Sequence, residues 1–474
     1  MTTGHVAVID IGKTNAKLAI VDSENLTELA VVTRPNRVIP GPPWPHFDVD
    51  GHWGFVLDAL ARFHATHRID AISVTTHGAC AALIGKDGNL AAPILDYEHD
   101  GPDGCAEDYD AIRPAFQETG SPRLGGGLNI GAQLFWQFQT DPGLRDRVRH
   151  IVTYPQYWGF RLTGVAATDV TSLGCHTDLW NPYAGQVSSL VERLGVGHVL
   201  APTRKPGDVL GPILADVAAR TGLAVGTPVY CGIHDSNASL LAHLLARQAP
   251  FSVVSTGTWV IAMAIGGAPV TLDPARDTLV NVNAFADPVP SARFMGGREH
   301  DLLMQGAQVT PSDDDIAAVL QDGTALLPAM IPDTGPFQGQ QAHWVATPPD
   351  QGSGQHSACV GFYLAMVTSH CLDLIGHRGT IYVEGPFARN RCYLDMLASA
   401  TGNDVHPMTS ATGTSEGAAL LGHIADAKAQ SAPRPGPAVT PSRRYATYAR
   451  RWNEHLERAA LRRVAARPLF PPDG

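Results

Sequence analysis

The chain has 474 residues, a net charge of −11 at pH 7 and 44% hydrophobic residues. This length exceeds what one hydrophobic core usually serves, so we expect two large domains in an ordinary globular protein. The acidic balance argues against a nucleic-acid partner, whose polyanion requires a basic face. The seven cysteines form no Cys-x-x-Cys pair, which favours reduced thiols. No secretory signal and no run of 18 apolar residues is visible, so we expect a cytoplasmic protein without a membrane partner.

Up to residue 230 the predicted elements alternate between strands and helices. Strands are predicted at 5–10 and 16–22, joined by a turn, and at 71–77, followed by a hairpin around Asp87-Gly88. Helical spacing occurs at 56–68, at 132–139, at 154–162 and between the glycine turns of 207–230. The alternation predicts an α/β protein with helices on the faces of a mixed sheet.

The second half of the chain repeats the strand–turn–strand pattern. The apolar run from Ala238 predicts a helix that begins after His-Asp-Ser-Asn, and 251–266 predicts a hairpin that turns at Ser255–Thr258. Helices at 355–377 and 390–402 flank a strand at 379–385. We place domains at 1–240 and 241–430. Residues 431–474 then form a linker-like stretch and a basic helix, at 444–466, that packs back on the body.

The turn between the first two predicted strands is the first candidate site, with the sequence DIGKTNAK from Asp10. Gly12 permits a tight turn in which main-chain amides face an anion, and Thr14 and Asn15 can add side-chain donors. Asp10 could hold Mg²⁺ through water, while Lys13 or Lys17 could offset phosphate charge. The Walker A spacing is absent. A plain surface hairpin is the alternative interpretation.

Two more candidate segments lie near the predicted domain boundary. The run Ser255-Thr-Gly-Thr258 indicates either a second phosphate nest or a plain β-turn. The run GIHDSN, at 232–237, places Asp235 at a strand-to-helix junction. There it could cap the helix or accept the proton of an attacking hydroxyl. Its place between two phosphate-sized turns favours the catalytic interpretation.

Taken together, these three segments resemble the motifs of the FGGY family of carbohydrate kinases, in the same order and spacing. The His77-Gly78-Ala79 turn within 73–95, and the Leu-Thr-Gly and Thr-Asp-x-Thr runs within 154–174, are similar to further family segments. The run TGTSEGAALLG, at 412–422, looks like an adenine-side element of the family. The resemblance covers roughly residues 5 to 425. It implies two actin-like ATPase (ribonuclease-H-like) domains flanking a catalytic cleft, with sugar mainly on the first and ATP·Mg²⁺ mainly on the second.

The resemblance also implies a role for each matching residue. Asp235 would be the general base. The predicted substrate contacts are His77, Gly78, Asp235, Ser236 and Asn237. The predicted ATP contacts are Gly12, Lys13, Thr14, Asn15, Gly257, Thr258, Gly385 and Asn390. Mg²⁺ would bind Asp235 and, through water, Asp10.

Three segments depart from the family pattern. The segment 383–390 keeps only Gly385 of a glycine-rich strand end, 96–99 (DYEH) lacks the usual arginine, and Gln156 stands where many relatives carry aspartate. The His-Gly-Ala turn favours a ketose acceptor, a pentulose or 6-deoxyhexulose. The alternatives are a polyol kinase of the glycerol or erythritol type, a non-catalytic actin-like ATP-binding protein, and a pseudokinase. The expected partners are a small sugar and ATP, and a homodimer is left open.

Overall fold

A computed structural model describes residues 4–408, 413–426 and 435–466. The described residues form two compact units. The first unit contains the chain up to Gln248, Leu279–Val289 and the described residues 413–426. The second contains Ala249–Thr278 and the described residues of 290–408 and 435–466. The predicted boundaries at 240 and 430 differ from this division, because two later segments return to the first unit.

The elements up to residue 248 follow in chain order. The strands are β1 (His5–Ile11), β2 (Asn15–Asp22), β3 (Thr27–Pro35), β4 (Val38–Ile39), β5 (His46–Phe47), β6 (Ala71–Thr76), β7 (Ala81–Gly85), β8 (Val148–Thr153), β9 (Thr168–Asp169), β10 (Trp180–Asn181), β11 (Gln186–Val187), β12 (Thr203–Arg204), β13 (Val209–Pro212), β14 (Pro228–Tyr230) and β15 (Ile233–His234). The helices are α1 (Val49–His67), α2 (Ala106–Ile112), α3 (Phe116–Thr119), α4 (Ile130–Thr140), α5 (Leu144–Arg147), α6 (Tyr154–Thr163), α7 (Val170–Leu173), α8 (Ser189–Arg193), α9 (Ala215–Thr221) and α10 (Asp235–Ala246).

The remaining elements lie after residue 248. The strands are β16 (Phe251–Thr256), β17 (Val260–Ile265), β18 (Thr278–Val282), β19 (Pro288–Phe294), β20 (Leu326–Leu327), β21 (His343–Trp344), β22 (Thr380–Glu384) and β23 (Val405–Pro407). The helices are α11 (Gly296–Met304), α12 (Asp313–Asp322), α13 (Gly354–Leu374), α14 (Arg391–Thr401), α15 (Thr414–Ala419) and α16 (Arg443–Ala466).

The main sheet of the first unit is mixed and has the order β13-β14-β6-β1-β2-β3, with β15 also paired to β6. Strands β1 and β2 form the predicted antiparallel hairpin, whereas β6 runs parallel to both β1 and β15. Helices α1 and α6 bury apolar side chains such as Leu60 and Trp158 together with Ile9 and Val74 of the strands. Burying one such side chain contributes roughly 1.5–3 kcal/mol.

The sheet of the second unit contains the order β19-β17-β16-β22-β23. Strands β16 and β17 form the second predicted hairpin, and β22 runs parallel to β16. In the described part of the chain one helix, Gly354–Leu374, is long and apolar enough to cross a membrane, but 78% of its most apolar stretch is buried within the protein. It is therefore placed as a core helix.

Several predicted elements have different limits in the structure. Helix α1 begins at Val49 because Asp48 accepts a hydrogen bond from the Gly51 N–H, so the helix extends seven residues before the predicted start. Helix α10 begins at Asp235 and not at Ala238. Strand β7 pairs with β8, and the predicted Asp87-Gly88 hairpin is present as a short return: a bridge joins Ile84 to Leu90, and the Ala91 N–H donates to the Leu83 carbonyl at 2.7 Å.

The C-terminal helix α16 packs within the second unit. The indole Nε1 of Trp452 donates to the Leu326 carbonyl at 2.8 Å, and the Tyr448 hydroxyl donates to the Thr324 carbonyl at 2.8 Å. Part of the predicted linker at 430–442 lies outside the described residues.

Candidate active site

Three strands of the first unit bring Asp10, His77 and Asp235 to one edge of the sheet. Asp10 is the penultimate residue of β1, His77 follows β6, and Asp235 follows β15. Because β6 runs parallel to both β1 and β15, their carboxyl ends meet, with Thr76 opposite Ile11 and His234. In open α/β sheets this edge is where ligands commonly bind.

Asp235 is the first residue of α10, and its side chain is 30% exposed. Its Oδ1 accepts a hydrogen bond from the Ser236 N–H at 2.6 Å. Burial raises the pKa of Asp235, an effect that His77 partly offsets. A carboxylate with a raised pKa is a stronger base, so Asp235 is suited to accept a proton from a hydroxyl.

His234 precedes Asp235 and is buried. Its main-chain N–H donates to Thr171 Oγ1 at 3.0 Å, and its Nε2 lies 3.3 Å from Asp235 Oδ1. Burial lowers the pKa of His234 to about 4, so the ring is neutral at neutral pH. Gly78 lies against this ring, since a Cβ at Gly78 would be 2.6 Å from His234 Nε2. The glycine of the predicted sugar turn thus leaves room for His234.

His77 is buried among aromatic rings. Its ring centroid lies 5.1 Å from Phe47, 5.0 Å from Tyr154 and 5.3 Å from Tyr97. Its Nδ1 lies 2.8 Å from the Gly78 carbonyl, so Nδ1 carries the proton and Nε2 is an acceptor. Among the described residues Nε2 has no hydrogen-bond partner. Burial also lowers the pKa of His77 to about 4. The arrangement is that of an acceptor suited to a hydroxyl donor.

The first turn is closed by main-chain bonds and supported by Asn36. The Gly12 N–H donates to the Asn15 carbonyl at 2.9 Å, and the Asn36 side chain donates to the Gly12 carbonyl at 2.8 Å. The side chains of Thr14 and Asn15 are exposed. The Lys13 ammonium contacts the Asp96 carboxylate and is close to that of Glu98. In this conformation Lys13 therefore pairs with two carboxylates of the segment 96–99.

Asp10 receives hydrogen bonds from residues more than 400 positions later in the chain. Thr414 Oγ1 donates to Asp10 Oδ2, and Ser415 Oγ donates to the same oxygen at 3.2 Å. Lys17 Nζ lies 3.8 Å away. The predicted adenine-side run thus supplies hydroxyls to the first unit, at its metal-binding candidate. Its relation to adenine stays a prediction.

Burial raises the pKa of Asp10, and the charge of Asp235 raises it further. Two carboxylates that oppose each other's ionisation are stabilised by a cation between them, so the pair suits a divalent ion. Among the described residues no group of three or more His, Cys, Asp or Glu side chains could hold a metal. Mg²⁺ commonly needs fewer, because it binds through one or two carboxylates, substrate phosphates and water.

Two buried contacts that were not predicted fix the segment before Asp235. Gln156 Nε2 donates to the Cys231 carbonyl at 2.9 Å and lies 3.3 Å from that of Gly232. Asp169 accepts from the Thr171 N–H at 2.8 Å, and Thr171 in turn holds His234. The Thr-Asp-x-Thr run and the departure at Gln156 were visible in the sequence. Neither pattern indicated that its partner is the 231–234 backbone.

The second turn lies at the end of β16 in the second unit. The Gly257 N–H donates to the Trp259 carbonyl at 2.9 Å, and Gly257 and Thr258 are exposed. Gly385 has φ +83°, and a Cβ there would lie 1.9 Å from the Thr256 carbonyl oxygen. The glycine that remains from the family's glycine-rich run is therefore required where β16 and β22 end side by side.

The other predicted site residues have local roles in the structure. Asn390 begins α14, where its side chain accepts from the Tyr393 N–H at 3.1 Å. On α10, Ser236 is exposed and Asn237 is buried. These contacts leave the predicted ATP contact of Asn390 and sugar contacts of Ser236 and Asn237 as predictions.

Comparison with known proteins places the chain in one family. Residues 5–242 match the N-terminal domain of the FGGY family of carbohydrate kinases, and 248–433 match the FGGY C-terminal domain. A solved carbohydrate kinase from Novosphingobium aromaticivorans is 37% identical with a TM-score of 0.88, covering 97% of this chain and 100% of that one. A xylulose kinase from Rhodospirillum rubrum shares the fold, at 21% identity and a TM-score of 0.77 over 96% of this chain and 98% of that one.

Among curated proteins, L-fuculokinase of Escherichia coli K12 is 25% identical over 266 residues, which is 54% of this chain and 56% of the relative. A rhamnulokinase of Klebsiella pneumoniae is 24% identical over 58% of this chain and 57% of its own length. The chain thus spans just over half the length of the curated relatives it matches. The predicted α/β fold of two actin-like domains is confirmed, and the chain belongs to the FGGY family of carbohydrate kinases.

Proposed function

We propose that the protein is a kinase that transfers the γ-phosphate of ATP to a hydroxyl of a small ketose, a pentulose or 6-deoxyhexulose. The observation that carries the proposal is the meeting of Asp235, His77 and Asp10 at one edge of the first sheet, in a chain of this family. Relatives named as L-fuculokinase, rhamnulokinase and L-xylulose/3-keto-L-gulonate kinase support a ketose acceptor.

Asp235 acts as the general base. Its raised pKa favours proton transfer from the attacking hydroxyl, and the contact with His234 and the Ser236 N–H orients the carboxylate. The unpartnered Nε2 of His77 accepts a hydrogen bond from a second hydroxyl of the sugar. The aromatic rings around His77 exclude water from that side, which disfavours hydrolysis of ATP. Ser236, Asn237 and Gly78 complete the sugar side.

The two turns are proposed to hold the phosphates and the nucleotide. In the first unit Gly12, Thr14 and Asn15 bind the phosphates, while Lys13, whose ammonium is paired with Asp96 and Glu98, stays a predicted ATP contact. In the second unit Gly257 and Thr258 bind the phosphates, and Gly385 and Asn390 bind the rest of the nucleotide. When bound, Mg²⁺ neutralises charge on the transferred phosphate. Asp235 and, through water, Asp10 would hold it. In this proposal residues 5–242 bind mainly sugar, residues 248–433 bind mainly ATP, and the enzyme is cytoplasmic.

The test is the variant Asp235→Asn in a coupled ADP-release assay. Because the amide cannot accept the proton, kcat should fall by about 100- to 10,000-fold while sugar binding stays nearly unchanged. Asp216→Asn is a matched control, since Asp216 also lies in the first turn of a helix and accepts from the next N–H, at 2.9 Å. A near-native kcat in Asp235→Asn would remove the base assignment.

A screen of ketoses and polyols distinguishes the remaining alternatives. Turnover of glycerol or erythritol in preference to xylulose, ribulose, rhamnulose or fuculose would favour the polyol kinase. A folded sample that binds ATP and phosphorylates none of these compounds would favour the non-catalytic ATP-binding protein.

A further inference from the structure

The side chain of Lys13 joins the first turn to the segment 96–99. Its ammonium contacts Asp96 and lies 3.1 Å from Glu98 Oε2. It also lies 4.4 Å from the centroid of the Tyr97 ring. Asp96 is buried, with 9% of its side chain exposed. Lys13 is therefore already neutralised by two carboxylates of the segment that departs from the family pattern.

This ion-pair group lies next to the proposed sugar site. The Tyr97 ring packs on His77 at 5.3 Å, and the charges of both Asp235 and Lys13 act on His77. The buried Nε2 of His77 has no partner among the described residues. That unpartnered acceptor is independent of the ion pairs and points to a ligand with hydroxyl donors.

The groups described around this site carry a net negative charge. Asp96, Glu98 and Asp235 are acids, Lys13 is the base that pairs with two of them, and His77 is neutral because burial lowers its pKa to about 4. Hydroxyls can donate to such groups, whereas a carboxylate offers no donor and is repelled by the acids.

We propose, on the basis of the proposed kinase function, that the acceptor site selects uncharged sugars and rejects sugar acids. The reason is that the ammonium of Lys13 is already paired with Asp96 and Glu98 and is not available to bind the carboxylate of a sugar acid. The proteins similar to this chain include a gluconate kinase and an L-xylulose/3-keto-L-gulonate kinase, whose names include sugar acids. The proposal therefore distinguishes the acceptor of this chain from theirs. In this site Lys13 is a specificity-determining residue.

The experiment compares kcat/KM of the full chain for neutral ketoses with kcat/KM for gluconate and 3-keto-L-gulonate, by ADP release. We expect a preference of at least about 100-fold for a neutral ketose, as expected for a buried charge without a partner. The double variant Asp96→Asn/Glu98→Gln frees Lys13 and should reduce this preference about 10-fold or more, by the size of a charge-assisted hydrogen bond.

Glu98→Gln alone is a second variant that should fold, since 65% of the Glu98 side chain is exposed, and it should change the preference in the same direction. Glu107→Gln/Asp108→Asn removes the same charge from exposed positions of α2 and should leave the preference unchanged. Sugar acids used as well as ketoses by the native chain would overturn the inference but keep the kinase. An unchanged preference in both variants would overturn the role of Lys13. Turnover of no sugar at all would overturn both proposals.

Discussion

Gly78 offers a direct way to perturb the proposed base without touching it. In Gly78→Ala the new methyl group would lie 2.6 Å from Nε2 and 3.0 Å from Cδ2 of His234. Ordinary contacts of a Cβ begin at 3.4 Å, so the His234 ring has to retreat by about 0.8 Å. The ring is buried, and its main-chain N–H is held by Thr171, so it has little room to do so.

The consequence for activity follows from the neighbour of His234. Its Nε2 lies 3.3 Å from Asp235 Oδ1, so a shift of the ring alters the contact that orients the base. Because a misplacement of about 1 Å can cost about 100-fold in rate, we expect kcat to fall roughly 10- to 100-fold. Overpacking should also lower the free energy of unfolding by about 1–3 kcal/mol.

The assay is steady-state ADP release with the preferred sugar, combined with urea unfolding. Gly54→Ala is the matched control, since nothing lies within 4 Å of a Cβ at this exposed position of α1. There alanine should stabilise the helix by roughly 0.5–1 kcal/mol without a change in kcat. If Gly78→Ala retains native kcat while Gly54→Ala behaves as expected, the proposed coupling of Gly78, His234 and Asp235 is refuted.

Three further changes test other contacts. Gln156→Leu removes the buried donor to the backbone before Asp235, so stability should fall by about 1–3 kcal/mol and kcat should fall more than KM changes. Gly385→Ala should cost about 2–5 kcal/mol, since its Cβ would lie 1.9 Å from a carbonyl oxygen at φ +83°. Glu299 has its pKa raised by burial from 4.5 to about 7, so the folded state holds the proton more tightly than the unfolded state. Stability relative to Glu299→Gln should therefore fall as the pH rises from 4.5 to 7, by at most about 3 kcal/mol, measured by urea unfolding at each pH.

A specific outcome would contradict each of these three predictions. If the loss of kcat in Gln156→Leu is fully accounted for by the fraction of unfolded enzyme, Gln156 has a structural role only. Gly402→Ala is the control for Gly385, because its φ is +70° and nothing lies within 4 Å. If both glycine variants lose the same stability, the close approach at Gly385 is unimportant. A pH-independent difference between Glu299→Gln and the native chain would contradict the raised pKa.

The local patterns predicted the fold well where one segment determines the element. The hairpins β1–β2 and β16–β17 and the helices α4 and α6 follow from periodicity and turn residues near their ends. Helix α1 was predicted too short because two glycines in its first turns argue against a helix, whereas the Asp48 cap and burial against the sheet outweigh them.

The candidate site was predicted only in part, because some of its contacts join segments that are far apart in the chain. The sequence placed Asp10, His77 and Asp235 at or next to strand ends, but it did not indicate the parallel pairing of β6 with β1 and β15 that brings those ends together. Thr414, which bonds to Asp10, is 404 positions away, and no local pattern reports such a partner. Which unit a segment joins is likewise decided by packing over long separations.

The return of α15 to the first unit has a consequence for the order in which the protein is made. Ser73 on β6 donates to the Ala418 carbonyl at 2.7 Å, and Asp10 accepts a hydrogen bond from Thr414 Oγ1. A ribosome therefore has to synthesise most of the second unit before the first unit can acquire its last helix. Until then the buried faces of β1 and β6 that α15 covers stay open, and closing them requires a loop that spans most of the chain. Completion of the first unit is thus a late step of folding rather than an early one.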